Sequence, residues 1–435
     1  MPCADSLLHH AKTRMNPRQY ISFLFAVAAV ATLQPMVALA DVAVEKPPLK
    51  EKKECPFYGC PLYPQDIFYD ALVREALAKM RLQTKRQNVE EILESSGNQA
   101  TATLTLLGYK GGSQESQINQ DRAFVVSPFR VGDVSEAEDG TTCRLLGVFD
   151  GHAPLGEHVA EYVVIELPNL LAKKLEAVTD EKSTKEALVE AFIEMDKMVP
   201  AHKSGGCTAS VILQMGRKVY VANAGDSRSF IAVYHKRSRK AQVVYVSRED
   251  KPDLEEERNR VESVGGQVYI SERLGGTSRV LYTDPMTGYQ SGLAMSRSIG
   301  DWEAGKVGVI PDPIVDVIEI PNLVAAEGNM WCVAVDENGD MNMEYCVGDQ
   351  VDDVYVFAVS ATDGMFDFVD PSTVAEIVAP SLFDEDGPHP LTACEMLLSI
   401  AASGWQRAKQ GRYRDDIAIA VSTIRIPPSR VNIAQ

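Results

Sequence analysis

The sequence predicts an α+β protein in which antiparallel sheets are flanked by helices. Three observations predict it. From about residue 100 to 426 the chain alternates short runs rich in Val, Ile, Leu and Phe with turn residues, the signature of strands. Consecutive runs are joined by short turns while the helical stretches come in groups, which favours antiparallel sheets with helices on their faces. Apolar residues make up 45% of the chain and charged residues 24%, an ordinary soluble mix that supplies a sizeable core.

The elements follow in chain order. Residues 1–40 read as a targeting or anchoring segment. Lys12, Arg14 and Arg18 precede an apolar run from Ile21 to Leu33, and Ala38 and Ala40 stand at small-residue spacing before Asp41. That fits a secretory signal cleaved after Ala40. Residues 20–40 also approach the roughly 20 residues that span a bilayer, which fits an uncleaved membrane anchor. A bipartite organelle address is a third reading. Lysines at 46, 50, 52 and 53 rival the charges on the other side, so the sequence does not fix which side of a membrane the rest would face. The absence of any Asn-x-Ser/Thr acceptor disfavours a long lumenal life. Residues 41–64 are a Pro-, Lys- and Glu-rich linker. Residues 65–99 form an amphipathic helical segment: Phe68, Leu72, Ala76 and Met80 share one stripe, and the helix is expected over 66–94.

Strands are expected at 103–107, 123–126, 144–149, 209–213, 218–222, 229–233, 242–246, 354–359 and 417–421. Helices are expected at 156–175, 184–198, 254–264, 371–378 and 391–408. The acidic stretch 322–353, with its "DENGD", reads as a solvated insertion or an extra hairpin, and 427–435 as a tail. No internal repeat is present.

Composition bounds the function. The formal net charge of −18 opposes nonspecific binding to nucleic acid or to anionic membrane surfaces. Cys143, Cys207 and Cys394 lie among small or apolar residues and read as buried free thiols. Cys55 and Cys60 read equally as a local disulfide or as two thiols. Seven His, with no Cys/His spacing of the zinc type, exclude a structural zinc site.

Chemistry concentrates in six aspartates: Asp121 in "NQDR", Asp150 in "GVFDGH", Asp226 in "NAGDSR", Asp363 and Asp367 in "ATDGMFD", and Asp415 in "YRDD". Several follow an apolar run directly, so each would stand at the end of a buried strand. Carboxylates converging from distant strand ends suit hard divalent cations, which prefer oxygen ligands. A lone Asp before Gly is most often only a turn residue.

The segments "GVFDGHAPLGEHVAEYV", "GCTASVIL", "VYVANAGDSRSFIA", "GLAMSRSIGDW", "VFAVSATDGMFDFV" and "RDDIAIAVSTI" occur in this order. Together they resemble the successive motifs of the metal-dependent serine/threonine protein phosphatases, the PPM or type 2C family, over residues 100–426. The resemblance implies an α/β/β/α sandwich of two antiparallel sheets with a dinuclear Mn²⁺ or Mg²⁺ site at one end and a looser third ion in some members. It implies hydrolysis of phosphoserine or phosphothreonine in phosphoprotein substrates by direct attack of a metal-bridging hydroxide, and a monomer. By the same resemblance Asp150 bridges both metals and Gly151 lends its backbone carbonyl. Asp363 and Asp415 ligate the second metal, and Asp121 holds a metal-bound water. Asp226 and Asp367 match the third-ion positions, although Asp226 reads equally as a residue orienting the turn before Arg228. His152 matches the general acid; its alternative role is a hydrogen-bonded His at a strand end. His158 reads as a helix-surface residue and "KGG" at 110–112 as a loop.

One departure matters. Many relatives place an Arg or Lys five residues before the Asp121 position to bind substrate phosphate, and Ser116 stands there. Lys110 and Arg122 are nearby but out of register, and Arg273 and Arg279, in a segment resembling the family's variable flap, are substitutes. A second reading is therefore a catalytically weak or dead scaffold that binds phosphoproteins.

Overall fold

The structure is a computed structural model, and it describes residues 92–93 and 100–425. Within that span 113–115, 133–142, 202–204, 237, 274–275, 285–286, 321–329, 336–340, 347–353 and 385–387 are outside the described residues. The readings of 1–40 and 41–64, the Cys55/Cys60 pair, the tail and nearly all of 65–99 fall outside it as well. Among the described residues no helix is long and apolar enough to cross a membrane.

Two antiparallel sheets form the body. The first has six strands in the order Ile92–Leu93, Ala100–Leu106, Ile417–Ile424, Val354–Ala361, Arg228–His235 and Lys240–Val246. The second has five, in the order Ile314–Glu319, Lys218–Ala224, Ala209–Met215, Arg144–Phe149 and Arg122–Val126. Successive residues of a strand point to opposite faces, and both faces here are apolar. Ile417, Ile419 and Val421 pack outward against helices, while Ala418 and Ala420 pack inward between the sheets. Leu145 and Phe149 likewise face helices, and Leu146 and Val148 face the opposite sheet. This double patterning produces three apolar layers and hence the α/β/β/α sandwich. Small inward residues let the sheets approach, and a chain of hydroxyls, Ser210 to Ser229 at 2.7 Å and Ser229 to Ser360 at 2.6 Å, satisfies the polar groups between them.

The helices Gly156–Leu175 and Glu181–Met198 cover the five-stranded sheet through Val163, Leu167, Leu188 and Phe192. Asp180 and Ser183 form a reciprocal capping box that starts the second of these three residues before the expected position. The helices Pro371–Phe383 and Pro390–Lys409 cover the six-stranded sheet. Asp370 accepts from Ser372 and Thr373 at the start of the former, and Pro371 occupies the first turn, where its missing N–H costs nothing. That helix runs on to Phe383, past the expected end at 378.

Ile92–Leu93 correct one expectation. They lie inside the stretch expected to be helical but pair antiparallel with Ala100–Leu106 as an edge strand. Met330–Val335 and Met341–Cys346 pair as a hairpin, one of the two readings of the acidic stretch. A three-stranded sheet of Gln267–Tyr269, Arg279–Thr283 and Gln290–Leu293 was not expected. With the helix Glu255–Ser263 it closes a small separate core around Val261, Val280 and Met295.

Candidate active site

Both sheets end their strands on one acidic centre. Asp121 directly precedes Arg122–Val126, Asp150 directly follows Arg144–Phe149, and Asp226 sits in the turn between Lys218–Ala224 and Arg228–His235. Asp363 opens the short helix Asp363–Phe366 just after Val354–Ala361, Asp367 caps its far end, and Asp415 precedes Ile417–Ile424. Antiparallel register brings these termini together although the residues are up to 294 positions apart, from Asp121 to Asp415.

The carboxylates feel one another strongly. Burial, and then the charges of Asp121, Asp415 and Asp226, push the Asp150 pKa far above the usual carboxylate range. Asp363 is pushed up by burial and by Asp150, Asp226 and Asp415, and Asp121 by burial, Asp416 and Asp415. Asp367 is raised by burial as well, with Lys251 opposing. The mutual terms place the six aspartates in one electrostatic unit. Among the described residues no group of three His, Cys, Asp or Glu side chains is closed around a point as it would be on an ion. The aspartates thus converge electrostatically without forming a coordination shell.

Hydrogen bonding tests whether cations suit the centre. Asp121 Oδ2 accepts from Thr362 Oγ1 at 2.8 Å, but Oδ1 of Asp121, of Asp226 and of Asp363 are buried with no hydrogen-bond partner. Native folds rarely leave buried polar atoms unpaired, and several unpaired anionic oxygens at one place are what divalent ions satisfy. The donor set is all oxygen, which fits Mg²⁺ or Mn²⁺. Gly151 fits its expected part, since a Cβ there would lie 2.5 Å from the Gln120 carbonyl and 2.7 Å from the Gly156 carbonyl.

Two lysines enter the centre, and sequence reasoning gave neither this place. Lys110 Nζ lies 2.9 Å from Asp415 Oδ1 and 3.2 Å from Asp416 Oδ2. The Lys110 N–H donates to Gln117 Oε1 at 2.8 Å. Lys251 Nζ donates to Asp226 Oδ2 at 2.7 Å. Asp416 also ties the centre together, accepting from the N–H groups of Gly108 at 2.6 Å and Gln120 at 3.1 Å. Arg279 instead donates to the Gly292 carbonyl and Arg273 is exposed, while Arg122 is held by the Asn119 and Asp121 carbonyls.

His152 sits at the rim. Its Nε2 is 2.6 Å from Asp301 Oδ2 and its Nδ1 is 3.3 Å from the Asp150 carbonyl. Burial works against the imidazolium, but the charge and hydrogen bond of Asp301 outweigh it and raise the His152 pKa. Asp301 was missed, although it closes the quoted segment "SRSIGD". His158 is an exposed helix residue, as expected, beside Glu157. Cys143, Cys207 and Cys394 are buried.

A family description of protein phosphatase 2C matches residues 125–327. The chain is 26% identical to Probable protein phosphatase 2C 73 of Arabidopsis thaliana, over 80% of this chain and 86% of that protein. It is 27% identical to Probable protein phosphatase 2C 41 of Arabidopsis thaliana, over 81% and 96%. Its fold matches the crystal structure of serine-threonine phosphatase 2C from Toxoplasma gondii with a TM-score of 0.53 at 18% identity, covering 78% of this chain and 98% of that one. Fold and sequence thus both resemble those of protein phosphatase 2C proteins. The chain is similar in sequence to protein phosphatase 2C proteins over most of its length.

Proposed function

We propose that the chain removes phosphate from phosphoserine and phosphothreonine in proteins by a Mn²⁺- or Mg²⁺-dependent hydrolysis at this centre. The observation that carries the reading is the set of buried, mutually repelling carboxylates with orphaned oxygens at Asp121, Asp226 and Asp363. Asp150, the Gly151 carbonyl, Asp363 and Asp415 would hold two ions, with Asp121 orienting water. Asp226 and Asp367 would hold a looser third. Bound ions of this kind lower the pKa of water and offset negative charge on phosphoryl oxygens.

The chain's own groups do the rest. Water adds to phosphorus as the bond to the serine or threonine oxygen breaks, and the electron pair leaves with that oxygen. His152 gives it a proton. Ser116 brings no positive charge, so Lys110 is the cation that the loop delivers to Asp415 and Asp416. Lys251 already engages Asp226 Oδ2, which favours a weak third ion.

Phosphate release from a phosphothreonine peptide and from p-nitrophenyl phosphate, each with Mn²⁺ and with EDTA, tests the proposal. Expected is metal-dependent release with the peptide preferred. Peptide binding with bound Mn²⁺ and no release would replace the enzyme by a scaffold.

A further inference from the structure

Three two-residue strands beside the acidic centre form a miniature sheet: Gly151–His152, Gly206–Cys207 and Ile299–Gly300, with Gly206–Cys207 in the middle. Gly206 is opposite both His152 and Gly300. Because the middle residue has no side chain, His152 on one side and Asp301, next after Gly300, on the other can meet across it. A Cβ at Gly206 would lie 2.2 Å from Asp301 Oδ2, so the contact requires glycine there. Asp301 is itself held from several directions. Its Oδ2 accepts from Ser298 Oγ at 2.8 Å, and its N–H donates to the Gly205 carbonyl at 3.0 Å. Its neighbours are anchored on Asp196, whose Oδ1 accepts from the Gly300 N–H at 2.8 Å and whose carbonyl accepts from Trp302 Nε1 at 3.0 Å. Asp301 holds this place with φ of 49°, in the left-handed region that a non-glycine residue adopts at a cost, and such conformations persist where surroundings enforce them.

We propose that Asp301 is the positioning residue for His152: it grips Nε2 and so aims Nδ1, which among the described residues has only the long contact to the Asp150 carbonyl, at the leaving serine or threonine oxygen. This rests on the reading of His152 as general acid. The geometry assigns the two ring nitrogens different tasks. Nε2–H stays with the carboxylate at 2.6 Å throughout. Nδ1–H, at 3.3 Å from its carbonyl, gives up little when it moves to the departing oxygen. As the P–O bond breaks, the oxygen takes the electron pair and the Nδ1 proton, and the neutral ring regains a proton from solvent. A carboxylate behind the ring then steadies the positive charge before transfer and fixes the tautomer after it.

The test compares kcat/KM for a phosphothreonine peptide, a poor leaving group, with that for p-nitrophenyl phosphate, a good one, in His152→Ala, Asp301→Asn, the double variant and Ser298→Ala, all saturated with Mn²⁺. His152→Ala should slow the peptide about 100-fold more than the nitrophenyl ester, the range of general-acid contributions. Asp301→Asn should show the same selectivity at about tenfold, and the double variant should be no worse than His152→Ala alone, because both act through one proton. Ser298→Ala, which leaves Asp301 in place and removes only its support, should show about twofold selectivity and serves if Asp301→Asn does not fold. Equal slowing of both substrates by Asp301→Asn, multiplicative losses in the double variant, or no selectivity in Ser298→Ala when it alone is soluble would overturn the inference. If His152→Ala itself lacks selectivity, the general-acid reading fails first. If His152→Ala is selective and Asp301→Asn is not, only the role of Asp301 falls.

Discussion

Two clusters of buried acids lie in this fold, and their chemistry is opposite. Glu257, on the helix Glu255–Ser263, is fully buried, yet both oxygens are saturated. Oε1 accepts from Arg248 at 2.8 Å and from Arg297 at 2.7 Å, and Oε2 from Ser296 at 2.6 Å and Arg260 at 2.6 Å. Burial works to raise its pKa, but the bonds from Arg260, Arg297 and Ser296 win and hold it down at about 2. Asp121 is as deeply placed and Asp150 and Asp363 are half-buried, but most of the charges around them are other acids, and they are pushed up. Burial is common to both clusters, so burial does not mark function. What separates them is whether the protein supplies the counter-charge. Around Glu257 arginines do, and the cluster is a staple joining Arg248, Asp250, Ser296 and Arg297 beside the flap sheet. Around Asp150 the acids outnumber Lys110 and Lys251, and the proposed cations would supply the remaining counter-charge.

The largest stability effect should therefore fall in the staple rather than among the six aspartates. Glu257→Gln should cost about 3 kcal/mol in urea unfolding, because it takes the buried counter-charge from three partly buried guanidinium groups. Its pH dependence follows from the sign of the shift. A depressed folded-state pKa means that the carboxylate stabilises the fold above its unfolded value near 4.5, and the contribution is lost as pH falls towards about 2. Wild type and Glu257→Gln should converge over that window; a difference that instead grows on acidification would contradict the arginine-saturated picture. A smaller effect should appear at Lys110, the one basic side chain that ion-pairs with Asp415 and Asp416 among the described residues. Lys110→Met should tighten Mn²⁺ binding roughly fivefold in calorimetric titration, the scale of one partly exposed charge pair. Weaker binding would mean that the lysine helps to build the cation site rather than compete with it.

The same contrast explains what the sequence could reveal. Strand Arg144–Phe149 and helix Gly156–Leu175 were legible to the residue, because the run of Leu, Val and Phe in the one and the apolar stripe along the other carry their own signal. The miniature sheet was not, since two-residue strands have no period, nor was the flap sheet, whose strands are mostly exposed and so lack an apolar alternation. Asp150, Asp363 and Asp415 could be named because each adjoins a strand end in a turn. Lys110, Lys251 and Asp301 could not, because their partners are reached only by folding: Asp301 meets a histidine 149 positions earlier through the gap left at Gly206. The helix Pro371–Phe383 runs past its expected end at 378 because Leu382 and Phe383 pack into the core.

The most direct test of the acidic centre is a calorimetric titration of Mn²⁺ into the wild-type protein and into Asp363→Asn, with circular dichroism confirming that both are folded. The wild type should bind two ions, and Asp363→Asn should lose at least one of them, or bind it at least tenfold more weakly, with turnover abolished. Identical stoichiometry and affinity in the two proteins would contradict the assignment of these carboxylates as the cation site.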